Sequence, residues 1–246
     1  MDRLIYTALT GASAAMHRQQ LLSQNLANVN TNGFRAQLAT FRDVPLRGDG
    51  ATTRVHALEA TAGHLEAPGT MTATGRNLDV AAQGNAYFAI QGLDGTEAYT
   101  RAGALQVSST GELVGHSGLP MLGNGGAPIT VPQGARVSIG SDGTVTGQVP
   151  GQEKEQLGQL KLVTPNATDR LQRGDDGLFR AGGGNPLPQD ESARLADGVL
   201  EGSNVNAVEA MVGMISVARQ FEVQMKMLQN AEKNDQSASQ LLSMNG

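Results

Sequence analysis

The sequence contains no cysteine, which removes thiolate chemistry, disulfide staples and cysteine-based zinc sites together. It also makes the chain indifferent to redox compartment, as suits a protein exported from a reducing to an oxidising space. Tryptophan is absent too, and aromatic residues make up 3% of the chain. Enzymes of this length usually carry more aromatic bulk in their cores and pockets. Excess positive charge is missing: the formal net charge is -5, against the basic surface that phosphate neutralisation needs, so no nucleic acid is expected as a partner. No apolar run is long enough to span a bilayer, and no direct membrane insertion is expected. The N-terminus does not read as a cleaved signal peptide. Asp2 stands where positive charge is expected, and Thr7, Thr10, Gly11 and Ser13 interrupt the apolar residues.

Catalytic and metal motifs are equally scarce. His17, His56, His64 and His116 show no ligand spacing such as H-x-x-x-H. There is no G-x-S-x-G, Walker A or G-x-G-x-x-G run, and Gly123-Asn124-Gly125-Gly126 reads as a turn. Arg173-Gly174-Asp175 spells an adhesion tripeptide but reads as a charged turn between strands. Asn166-Ala167-Thr168 matches a glycosylation sequon without a context that gives it meaning. Asp79 and Arg101 look like exposed charges within β segments, suited to a structural salt bridge or a rim contact. No enzyme activity, metal or organic cofactor is expected.

What the chain does have is 32 glycines and a helix–β–helix order. From about Arg3 to Asn28 there is no proline, and Ile5, Leu9, Ala12, Met16, Leu22 and Leu26 recur at helical spacing. That helix is expected to stop in Asn28-Val29-Asn30-Thr31-Asn32-Gly33, where Asn and Gly tolerate left-handed backbone. A second helix is expected from near Asn206, with Glu209 placed as a capping-box partner. Its heptad pattern sets Met211, Ala218 and Met225 on one position and Met214, Phe221 and Leu228 on another. The pattern fades before a last apolar pair, Leu241-Leu242. Between the helices, short β-prone runs alternate with Asp-Gly and Ser-Gly turns, as in Tyr87-Phe88-Ala89-Ile90 before Gly92-Leu93-Asp94-Gly95.

The expected fold class is therefore mixed α and β, with paired terminal helices and a mainly β region between them. The expected domains are a discontinuous helical one over 1–35 and 203–246, an extended connector over 36–75, and a β-rich one over 76–202. Neither helix has enough apolar surface to stand alone in water. Pairing them leaves apolar flanks such as Ile215 and Val217 uncovered, which would suit neighbouring copies. Periodicity alone supports an intramolecular helix hairpin as well as it supports assembly.

Three segments resemble the flagellar rod and hook family of bacteria. Leu26-Ala27-Asn28-Val29-Asn30-Thr31-Asn32-Gly33-Phe34-Arg35 is similar to its N-terminal signature. Leu78-Asp79-Val80-Ala81 through Tyr99-Thr100-Arg101-Ala102-Gly103 resembles its central block, with Leu105 one position after the usual aromatic. Leu200-Glu201-Gly202-Ser203-Asn204-Val205 resembles its C-terminal signature. The opening Met1-Asp2-Arg3-Leu4-Ile5-Tyr6 is most similar to the proximal-rod members. The resemblance implies a structural subunit that polymerises helically into the basal-body rod across the periplasm, carrying torque from motor to hook. It implies partners in further copies, in other rod proteins and, in transit, in the flagellar type III export apparatus. It implies a coiled inner layer of terminal helices, ordered on assembly, and a β-rich outer domain. The apolar helix residues named above, Ile215 included, would then line the assembly interface. The alternatives are a distal-rod or hook member, or a secreted binding module whose helices pair within one chain.

Overall fold

A computed structural model describes residues 2–45, 55–166, 169–174 and 176–243. It divides into two compact units: 1–29, 37–64 and 205–246 form a helical unit, and 30–36 with 65–204 form a β unit.

In the helical unit, α1 spans Asp2–Ala27 and α2 spans Ala207–Ser243. Asn206 caps α2: its Oδ1 accepts from the Val208 and Glu209 amides at 3.1 and 3.3 Å. Asn28 ends α1, donating from its side chain to the Gln24 carbonyl at 2.8 Å. The segment expected to be an extended connector holds an antiparallel hairpin instead, β1 (Gln37–Pro45) with β2 (Val55–His64). Its register shifts at a bulge between Thr40 and Phe41. Asn25 docks this hairpin on α1, because its amide donates to the Gln37 carbonyl at 3.0 Å and accepts from the Gln37 amide at 2.8 Å. A bidentate side-chain contact of this kind supplies the β1 backbone with partners that a connector in water would not need.

The β unit is a set of small antiparallel sheets. The largest pairs, in spatial order, Leu162–Val163, Tyr87–Gln91, Glu97–Thr100, Phe179–Ala181 and Leu171–Arg173. A second sheet joins Arg136–Ile139, Thr144–Gln148 and Glu155–Gln159. One loop design recurs between strands, at 92–96, 108–112, 115–119, 123–127, 140–144 and 174–178. In each, the first residue's amide reaches the fifth residue's carbonyl, and the fourth residue's amide reaches the first residue's carbonyl. The fourth residue is always a glycine with φ between 74° and 85°. A side chain there would be strained, so the Asp-Gly and Ser-Gly punctuation is a direct consequence of this loop.

The core holds Val80, Phe88, Ile90, Leu105, Leu113, Met121, Leu160, Leu162 and Leu195, all essentially inaccessible. Aromatic poverty is met by aliphatic packing, with Tyr87 and Phe179 edge-to-face at 5.4 Å as the exception. Tyr99 is buried among them, and burial first, then Glu97, pushes its hydroxyl well above the usual tyrosine range. That hydroxyl donates to Glu97 at 2.8 Å and accepts from the Leu187 amide at 2.6 Å, and Lys161 closes the chain on Glu97 at 2.7 Å. Replacing Tyr99 with Phe leaves the Leu187 amide buried without an acceptor. The expected loss is about 1–3 kcal/mol of unfolding free energy, read from the urea midpoint. A loss within error would mean that water reaches that amide.

Candidate functional site

Small residues set the helix seam. Ala8, Ala12 and Ala15 are buried apolar residues of α1, and Ala210, Val217 and Ala231 are buried apolar residues of α2. A Cβ at Gly11 would lie 3.0 Å from Gln224, and one at Gly213 would lie 3.2 Å from Leu22. The helices therefore run antiparallel, and at both glycines a partner side chain leaves little room for a Cβ. Each costs roughly 1 kcal/mol of helix propensity relative to Ala, set against the closer packing.

This seam differs from the one expected from periodicity. Met214, Phe221 and Leu228 lie half-buried along it, as the heptad reading places them. The other heptad position is shifted by one residue: Ala210, Val217 and Ala231 are buried, with Gln224 half-buried between them. Met211 and Met225 are instead exposed, at 49% and 38%, and Ala218 is half-buried beside them. Val217, expected on an uncovered flank, is 2% exposed, whereas Ile215 is 57% exposed. On α1, Ile5, Leu22 and Leu26 are half-buried and Ala12 buried, but Leu9 and Met16 point outward. The physical reason is volume. Periodicity weights long side chains, while two helices this close accept Ala and Gly at their contact and push Met and Leu to its margins. The side chains of Leu241, Leu242 and His56, and the residues Ala167, Thr168 and Asp175 of the two tripeptides, lie outside the described residues.

A groove of about 400 Å³ runs along one margin of the seam, lined by Ala15, Met16, Gln20, Ala218, Phe221 and Glu222 among others. Beside it Val208, Met211, Val212 and Ile215 recur at helical spacing and are all exposed.

In the β unit, the three signature segments converge on one buried carboxylate. Glu201, at the end of the strand Val199–Glu201, has a fully inaccessible side chain. Its Oε1 meets Arg35 Nη2 at 2.7 Å and accepts from the Gly69 amide at 3.0 Å. Its Oε2 accepts from Arg101 Nε at 2.8 Å and Nη2 at 2.5 Å. Arg101 uses its remaining N–H groups on the carbonyls of Ala82, Gly84 and Ala86, so all five donors are engaged. Burial pushes the Arg101 guanidinium down from its ordinary value, and Glu201 opposes that shift.

Around this knot the backbone is pinned. The Gly33 amide donates to the Glu201 carbonyl at 2.8 Å. A Cβ on Gly33, whose φ is +70°, would fall 2.4 Å from the Ala102 amide nitrogen. A Cβ on Gly103 would fall 1.6 Å from the Val80 carbonyl oxygen, so no other residue fits there. Asn204 accepts from the Ala36 amide at 2.7 Å and donates to the carbonyls of Leu65 and Ala67 at 2.9 and 2.8 Å. Phe34 lies buried beneath the Arg173 guanidinium at 4.3 Å. The carbonyl of Thr31 closes a turn with the Phe34 amide, and Ser203 lies half-buried next to Asn204.

Asp79 and Arg101 are not the exposed charges that their sequence context implies: both are buried, at 4% and 1%. They do not pair with each other. Asp79 takes Arg76 and Thr74, while Arg101 takes Glu201. Leu78, half-buried, packs on the main core and receives the Leu105 amide. Burial opposes the Asp79 charge, but the bonds from Arg76 and Thr74 outweigh it and hold the carboxyl below the usual range. Arg180, the first cause, likewise holds Asp176 down. A carboxylate depressed in the folded state contributes stability that is complete above its unfolded pKa of about 3.9 and lost as pH falls through the lower folded value. The urea midpoint is therefore expected to be flat near neutrality and to fall below about pH 4, with a shallower fall in Asp79→Asn. An identical slope in that variant would remove Asp79 from the account.

Sequence reasoning missed Glu201 and Arg35 as site residues, although both stand inside the quoted signatures. The available signal was a lone acid in the short run Val199-Leu200-Glu201-Gly202. Among the described residues no three His, Asp or Glu side chains gather as a metal site requires.

Known proteins match this chain over almost its whole length. The model for a flagella basal body rod protein matches residues 5–35, that for the flagellar hook protein FlgE/F/G D1 domain matches 81–147, and that for the flagellar basal body rod FlgEFG protein C-terminal matches 196–241. These matches place the chain among the flagellar rod and hook proteins. The flagellar basal-body rod protein FlgF of Escherichia coli K12 is 46% identical over 253 aligned residues, covering 99% of this chain and 100% of the relative. FlgF of Salmonella typhimurium LT2 is 45% identical with the same coverage, whereas a FlgG of Buchnera aphidicola is 31% identical over 96% of this chain and 98% of the relative. The chain belongs to the FlgF family of flagellar basal-body rod proteins.

Proposed function

We propose that this chain is a structural, non-catalytic subunit of the proximal rod, which polymerises with further copies and with other rod proteins into the shaft between motor and hook. The single observation that carries the reading is the match to FlgF proteins from two species, which covers 99% of this chain and 100% of each relative. The helix pair supports the self-assembly part of it. Tyr6, Leu9, Met16, Val208, Met211, Val212 and Ile215 are large apolar side chains left in water by the single chain. Covering each contributes roughly 1.5–3 kcal/mol, so an assembly contact that buries several overcomes the cost of ordering.

In this reading the residues proposed for the interface are the exposed members of the helix stripes, while the half-buried ones hold the pair together. Export through the flagellar type III gate is part of the same proposal. A chain without cysteine suits a passage between reducing and oxidising spaces. A deletion of the gene in its own host tests the proposal. The expected result is basal bodies that lack hook and filament, restored by the gene in trans; complete, motile flagella in the deletion strain would contradict it.

A further inference from the structure

Two Asn-Gly pairs lie among the described residues, Asn32-Gly33 and Asn124-Gly125. Asparagine before glycine is prone to an intramolecular reaction, because glycine carries no Cβ to shield its amide nitrogen or restrict its backbone. That nitrogen can attack the asparagine Cγ. The fold gives the two pairs opposite surroundings. Gly33 is buried, and its amide is donated to the Glu201 carbonyl at 2.8 Å. A Cβ there would fall on the backbone of Arg101 and Ala102, so this segment has no room to turn.

Asn124 and Gly125 are both exposed, in the loop at 123–127. Among the described residues neither the Gly125 amide nor the Asn124 side chain has a hydrogen-bond partner. A Cβ built on Gly125 would meet nothing within 4 Å. Position in the loop explains the difference from its neighbours. In the loops at 92–96, 140–144 and 174–178 the acid stands third and the glycine after it fourth, where the first residue's carbonyl holds the glycine amide. The carboxylates of Asp94, Asp142 and Asp176 also clamp those loops, accepting from the fifth residue's amide at 3.0, 3.0 and 3.1 Å. At 123–127 the asparagine stands second. The glycine after it is therefore third, its amide is unheld, and it supplies no clamp. Gly125 and Gly126 in succession leave the Asn124 backbone free to rotate toward attack.

We propose that Asn124 is a self-modifying site, where the chain deamidates through its own backbone, while the fold protects Asn32. The Gly125 nitrogen gives its proton to solvent and bonds to Asn124 Cγ. The side-chain nitrogen takes up a proton and leaves as ammonia, which closes a cyclic succinimide. Water then opens the ring at either carbonyl. One opening gives aspartate. The other gives isoaspartate, whose backbone runs through the former side chain and is one methylene longer. The net change is water in and ammonia out, so no oxidant, metal or second protein takes part. Either product makes the formal net charge of -5 one unit more negative. The isoaspartyl form also lengthens a loop that two backbone bonds close at 2.8 and 2.9 Å, between the buried Leu122 and Ile129. The site stands whether or not the rod reading does.

The test ages the full-length chain at mildly alkaline pH and maps its peptides by mass spectrometry. Deamidation at Asn124 is expected to outrun that at Asn32 by roughly tenfold or more, a factor that corresponds to about 1.4 kcal/mol of local opening. In urea that unfolds the chain, the two rates are expected to converge. An isoaspartyl methyltransferase is expected to label the Asn124 peptide of the aged protein and not that of the fresh one. Gly125→Ala has room for its Cβ and is expected to slow the reaction about tenfold with the urea midpoint unchanged. Equal rates at the two asparagines in the folded chain overturn the inference. So does an Asn32 that stays intact in urea, because sequence rather than fold would then set the difference. Aspartate without isoaspartate, or a Gly125→Ala rate equal to the parent's, also overturns it, since water would then be attacking the side chain directly.

Discussion

Glu201→Ala is expected to unfold the β unit at far lower denaturant than the parent protein. The substitution leaves Arg35 and Arg101 cationic, with side chains 2% and 0% exposed and no carboxylate between them. Removing one partner from a buried ion pair typically costs about 3–5 kcal/mol, and here one carboxylate serves two arginines. The Gly69 amide loses its acceptor as well, for roughly another 1–3 kcal/mol. That sum is comparable to the whole stability of an ordinary domain, about 5–15 kcal/mol. Glu201→Gln keeps the shape and the amide acceptor but removes the charge, so its loss is expected to fall between the two. A urea midpoint for Glu201→Ala within error of the parent would show that the knot is hydrated and weakly coupled to folding.

The second large effect concerns the helices and is expected to be functional rather than global. Phe221 lies half-buried where seam and groove meet. Phe221→Asp removes an apolar contact worth roughly 1.5–3 kcal/mol and sets a charge where burial must follow. Leu228→Asp does the same two turns further along the seam. Either variant is expected to give non-motile cells without hooks while the β unit melts unchanged, since the two units form separate compact bodies. Swimming at parental rates would remove the helix seam from the assembly. Simultaneous melting of the β unit would mean that the two units fold as one.

Much of the architecture was legible because local rules sufficed for it. The terminal helices announced themselves by apolar spacing, and the Asn206 cap acts as its position implied. The β loops followed from Asp-Gly and Ser-Gly pairs, because the loop demands a glycine at positive φ. The pairing of β1 with β2 was not legible. The hairpin docks on α1 through the Asn25 side chain, which no local pattern marks. The seam register was half legible: Met214, Phe221 and Leu228 were readable, but alanines carry little weight in an apolar count, although they govern how close two helices come. The burial of Asp79 and Arg101 was hidden for a related reason. A charge in a short strand looks solvated until its partner is known, and Arg101 meets Glu201 across a hundred residues of sequence.

The central claim, that the chain is a proximal-rod subunit, is tested most directly by locating it. A small tag placed in the exposed turn around Leu93, visualised on purified basal bodies by electron microscopy, reports its axial position. The account predicts label confined to the motor-proximal end of the rod. Label along the distal rod or hook, or basal bodies without label, would contradict it.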